Sequence, residues 1–169
     1  MNHIGQDVIS DTTKSVSPVI ASMGPEKQKT LLRTMNCVGI ALHSGEKVSL
    51  TLRPAEAYTG IIFRRIDIPG SKEIVASWDN VVDTRLCTTI ANEHGVKVST
   101  IEHLMAALAG LEIDNAIIKL DAEEVPVMDG SSAPFIAMIE NAGIVEQNLP
   151  RKAIRILRTV SVRDGSKFL

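Results

Sequence analysis

A glutamate and a histidine stand side by side in the run Ser99-Thr100-Ile101-Glu102-His103-Leu104. A carboxylate next to an imidazole at the start of a helix suits a metal hydrolase. The imidazole can bind zinc, while the carboxylate takes a proton from the metal-bound water. The same Ser99-x-x-Glu102 spacing is also a capping box, in which Glu102 only satisfies a backbone N–H at the helix start. On spacing alone the capping box is the commoner meaning, and a lone histidine beside it is more often a surface or supporting residue than a ligand.

The elements around this pair follow from periodicity. In residues 101–111, Ile101, Leu104, Met105, Leu108 and Ala109 fall on one helical stripe, with Gly110 placed to stop the helix. Glu102 and His103 lie off that stripe, free to face a cleft. Leu50 and Leu52 alternate with Thr51 and Arg53 up to Pro54, which reads as a strand. Residues 59–65 and 115–121 are further strands, and residues 85–91 and 96–99 form a hairpin across Asn92-Glu93-His94-Gly95. A second helix is expected over 133–141, with Ser131 or Ser132 as cap, Pro134 in the first turn and Gly143 beyond the end. Strands over 153–157 and 159–163 close the pattern. This order predicts an α+β fold, a two-layer sandwich with a mainly antiparallel sheet and two helices packed on one face.

Composition narrows the function class. The 169 residues are 44% hydrophobic and 22% charged, enough for one domain with a sizeable core. A net charge of -2 and only 3% aromatic residues argue against a nucleic-acid partner. Cys37 and Cys87 form no pair-spacing motif, so reduced thiols in a cytoplasmic protein are expected. No apolar run approaches the roughly 18 to 20 residues of a transmembrane segment. Residues 1–28, rich in Ser and Thr and carrying Gly24-Pro25, read as a flexible leader, with Met23 a second candidate start.

Four blocks bear a resemblance. Residues 99–115, STIEHLMAALAGLEIDN, are similar to the signature S-T-V-E-H-L-x-A-A-L-x-G-x-x-I-D-N of the bacterial UDP-3-O-acyl-N-acetylglucosamine deacetylases. These are zinc-dependent hydrolases of lipid A (lipopolysaccharide) biosynthesis in Gram-negative bacteria. VGIALHSG at 38–45, DTRLCT at 83–88 and PVMDGSSAPF at 126–135 resemble three further blocks of that family in the same order. Ala41 departs from the family's glycine. The resemblance implies that Glu102 is the general base and His103 a zinc ligand. It implies that Leu86 and Cys87 line the metal site, and that His43 and Asp129 are structural or support the site from behind. His94 is expected to be solvated, and Cys37 a small buried residue.

The likeness covers the N-terminal half of the family: a domain over 29–165, with 166–169 beginning a linker. The second half of the family supplies two more zinc ligands in an H-K-x-x-D run, with a catalytic Lys and His. No such run occurs in this sequence. The chain is therefore expected to be a piece of the deacetylase, inactive alone, whose complete form takes a UDP-sugar lipid. The alternative is a stand-alone, non-catalytic homologue that binds or regulates within lipid A synthesis, with a partner protein or self-association covering its helix face. An active homodimer would need more ligands than Cys87, His103 and His43 offer.

Overall fold

The computed structural model describes residues 26–152 and 157–168. The expected leader, up to residue 25, and most of the strand expected over 153–157 lie outside the described residues. The architecture is the α+β sandwich that the pattern predicts, with two helices and a mainly antiparallel set of strands.

Five strands make the main sheet: β2 (Met35–Ile40), β3 (Lys47–Pro54), β4 (Ile61–Arg65), β5 (Ile74–Val75) and β9 (Ala116–Leu120), in the order β2-β3-β9-β4-β5. Leu52 pairs with Ile118 across the antiparallel β3–β9 ladder, and Phe63 pairs with Ile118 in the parallel β4–β9 ladder. Strict alternation decides which face is dry. Val48, Leu50 and Leu52 point inward and are buried, while the alternate residues Lys47, Ser49 and Arg53 are exposed. β1 (Lys27–Leu31) pairs with β10 (Ile144–Pro150), and begins two residues before the expected domain boundary.

Helices α1 (Glu102–Gly110) and α2 (Ala133–Ala142) cover the inner face. Leu104, Ala107 and Leu108 of α1, with Phe135 and Ile139 of α2, join the sheet's Leu50, Phe63 and Ile118 in one cluster. Burying a side chain of this size contributes about 1.5–3 kcal/mol. Large apolar residues are thus spent inward, and the outward helix positions are small: Ala106, Ala109 and Ala137 are exposed. Pro134 lies in the first turn of α2, and Gly143, at φ 78, ends it as expected. Arg33 adds a cap that the sequence hides, donating to the carbonyls of Asn141 and Ala142.

α1 ends at Gly110 as expected, and the left-handed residue beyond it is Glu112, at φ 57. Two sequence expectations need correction. Residues 85–88 are irregular, and the hairpin is shorter: β7 (Thr89–Ala91) with β8 (Lys97–Val98), extended by β6 (Val81–Asp83). Residues 159–162 form no strand, and exposed Val160 and Val162 pair with no strand among the described residues; β11 (Arg163–Asp164) and β12 (Lys167–Phe168) pair around Gly165.

Candidate functional site at the start of the first helix

The start of α1 decides between the two meanings of Ser99-x-x-Glu102. The residue at the helix cap is Ile101, and no side chain caps the helix. Ser99 instead donates its hydroxyl to the carbonyl of Glu123, 3.3 Å away. Its own N–H also binds that carbonyl, at 2.8 Å. Glu102 turns away from its helix, and its Oε1 accepts the N–H of Thr88 in the Asp83–Thr88 block. The capping box is therefore not formed: β-bridge pairing of Ser99 with Glu124 holds the serine elsewhere.

This contact joins two of the four sequence blocks. Glu102 and His103 are half-buried, so neither is packed into the apolar interior beside Leu104. Next to Thr88, Cys87 is half-buried with its Sγ 3.8 Å from the Thr89 hydroxyl. Leu86 is 85% exposed and does not line the cleft beside Cys87. Cys87 and His43 line one cleft of about 490 Å³ with Asp83, Arg85 and Ser99. Glu102 and His103 do not line it; Glu102 binds the N–H of Thr88, which stands in sequence between the lining residues Cys87 and Thr89.

The other two blocks arrive through a second carboxylate. Glu124 is 4% exposed, and it accepts the N–H groups of His43 at 3.0 Å and Ser44 at 3.1 Å. It also accepts the Thr100 hydroxyl at 2.8 Å. Burial pushes its carboxyl up, but those donors together outweigh burial and hold it below the usual carboxylate range. His43 thus contributes its backbone here, while its side chain stays at the exposed cleft wall. Just beyond, Val127 donates its N–H to the Ile40 carbonyl and Ala41 bridges Pro126. That places Asp129 at the turn before α2. Asp129 accepts both the N–H and the hydroxyl of Ser131, at 2.9 and 2.8 Å. These bonds, with a smaller contribution from the charge of His103, lower its carboxyl pKa. Asp129 is therefore in electrostatic reach of the proposed ligand.

Sequence reasoning missed Glu124. Nothing local separates it from exposed Glu123, because its partners lie 24 to 81 positions away. His94 sits exposed in its turn, as expected, and Cys37 is half-buried on β2, its thiol pKa raised by burial.

A catalytic zinc ion takes three protein ligands plus water. Among the described residues no group of three or more His, Cys, Asp or Glu is placed to hold a metal ion. His103 is thus a single donor, and these residues do not by themselves fit that ion. Among the described residues no helix is long and apolar enough to cross a membrane.

Known proteins are similar to this chain. The sequence matches the family model for UDP-3-O-acyl N-acetylglycosamine deacetylase over residues 28–169. A UDP-3-O-acyl-N-acetylglucosamine deacetylase of Idiomarina loihiensis (strain ATCC BAA-735 / DSM 15497 / L2-TR) is 54% identical over 142 residues. That match covers 84% of this chain and 46% of the relative, so the chain spans about half the length of the curated relative it matches.

Proposed function

The chain belongs to the UDP-3-O-acyl N-acetylglycosamine deacetylase family, and from that premise we propose that it is the N-terminal part of the active site of such an enzyme in lipid A synthesis. The substrate is a UDP-linked, 3-O-acylated N-acetylglucosamine, and the reaction is hydrolysis of its acetamido group. Water adds to the acetyl carbon as Glu102 takes its proton. The C–N bond then breaks, the proton passes to the departing nitrogen, and acetate leaves.

The observation that carries this reading is the contact between Glu102 and Thr88. A carboxylate held by the amide that follows Cys87, and not by its own helix, can serve a reactant beside that segment; a capping carboxylate cannot. The reading assigns His103 to zinc as one ligand, the others coming from the part of the relatives that this chain does not match. When bound, such an ion lowers the pKa of water to about 7. Alone, with one donor, the chain does not turn over substrate. On this reading Leu86 and Cys87 line the metal site, and Asp129 supports it from nearby. We place the work in the cytoplasm.

The test is a chimaera in which this chain's residues 28–169 replace their counterparts in the Idiomarina loihiensis relative. Deacetylation by the chimaera, lost by about 10²- to 10⁴-fold in its Glu102→Gln form, supports the assignment. A folded chimaera whose activity survives Glu102→Gln contradicts it.

A further inference from the structure

Two residues other than glycine take left-handed backbone conformations next to the proposed site. Thr100, at φ 55, lies two positions before Glu102, and Met128, at φ 55, directly precedes Asp129. For a β-branched residue this conformation is a true outlier, and such strain persists only where surrounding bonds over-determine it. At Thr100 those bonds are visible. Val125 donates to the Ser99 carbonyl at 3.1 Å, and Ser99 donates to the Glu123 carbonyl at 2.8 Å. The Thr100 hydroxyl donates to Glu124 Oε1 at 2.8 Å.

Glu124 reaches in the other direction as well. Its Oε1 lies 3.0 Å from the His43 amide, and its Oε2 lies 3.1 Å from the Ser44 amide and 3.2 Å from that of His43. One buried carboxylate thus ties the turn after β2 to the strained residue from which α1 starts. Only an ionised carboxylate can do this, since it offers acceptor sites on both oxygens and no donor. A glutamine would turn an NH₂ toward backbone N–H groups.

We propose that Glu124 is a positioning residue for the Glu102–His103 pair. It holds Thr100 left-handed and fixes the His43–Ser44 turn against it, so that the first turn of α1 aims Glu102 at Thr88. Its chemical meaning rests on the deacetylase reading above. The geometry does not, and it can be tested without substrate or metal.

The reporter is the Thr88 amide, which is bound by Glu102 and makes no bond to Glu124 or Thr100. Amide exchange is followed by NMR in the ¹⁵N-labelled 169-residue chain, in Thr100→Val, Thr100→Ser and Glu124→Gln forms. Thr100→Val keeps the shape and loses the hydroxyl. In it, Thr88 exchange should rise at least about tenfold while the amides of Leu50 and Ile118 stay protected. Thr100→Ser should return Thr88 to within about twofold of the parent. Glu124→Gln should expose Thr88 together with His43 and Ser44. The proposal is overturned if Thr88 is unmoved in Thr100→Val, or if Thr100→Ser rescues nothing. It is equally overturned if Glu124→Gln frees only His43 and Ser44. Should Glu124→Gln not fold, the Thr100 pair decides. An inactive chimaera leaves this result standing, and a failure here leaves the activity test intact.

Discussion

Replacing Asn115 by alanine offers a quantitative check on what holds this domain together. Asn115 closes the signature run at residue 115 and is 1% exposed. Its Oδ1 accepts the Gly60 N–H at 2.8 Å, and its Nδ2 donates to Gln28 Oε1 at 2.8 Å and Gln147 Oε1 at 2.7 Å. Gln28 and Gln147 belong to β1 and β10, so one side chain clips that pair of strands onto β9 and the start of β4. In Asn115→Ala, Gln28 keeps the Tyr58 N–H as a partner at 2.9 Å. The Gly60 N–H and the Gln147 carbonyl lose theirs. Two stranded polar groups at about 1–3 kcal/mol each predict a loss of about 2–6 kcal/mol. At about 2–4 °C per kcal/mol for a chain of this size, Tm falls by roughly 4–24 °C. Asn115→Asp should be worse than alanine, because it sets a buried negative charge against two amide carbonyl oxygens. Urea unfolding at pH 7, followed by circular dichroism with the slope unchanged, measures both. A cost below about 1 kcal/mol for alanine, or an aspartate variant more stable than the alanine one, refutes the reasoning.

Two further outcomes follow from the same geometry. The carboxyl of Glu124 is lowered on folding, so its contribution to stability is present above the ordinary carboxylate pKa of about 4.3 and fades as pH falls through the lowered folded value. Glu124→Gln should therefore be less stable than the parent at pH 7, with the gap closing in acid; a gap constant from pH 7 to 3 contradicts this. Gly39→Ala would place a Cβ 2.8 Å from that of Pro126 and 3.0 Å from the Met128 Sδ. Proline cannot yield, so a loss of about 1–3 kcal/mol is expected, with shifted amide resonances through Asp129 and Ser131; unchanged stability would show that the two segments are not packed so closely.

Where the apolar period was clean, the sequence was legible: β3, β9, both helices and the β7–β8 hairpin could be placed from Leu50, Leu52, Leu104, Leu108 and the Asn92–Gly95 turn. β10 was missed because its residues are nearly all exposed and show no alternation, and its pairing partner β1 lies more than 100 positions away, with Lys29 opposite Glu146. The run at 159–163 misled in the opposite sense, since alternating valines are no strand without an edge to join. At the site, the four blocks marked segments that the fold brings into contact, but Ser99-x-x-Glu102 spelled a cap that the fold does not make. What diverts it is tertiary: Ser99 is committed to the Glu123 carbonyl, and Glu102 finds Thr88. Glu124, which lies outside the four blocks, was invisible for the same reason, as its partners come from two of them.

The Thr88 amide proton gives the most direct measurement of where Glu102 points. In the parent chain it should resonate downfield and exchange slowly, and both features should vanish in Glu102→Ala while the amides of the first turn of α1 keep their exchange rates. If Thr88 is indifferent to that substitution and the amides of residues 100–103 respond instead, Glu102 is a helix cap and the hydrolytic site is not built here.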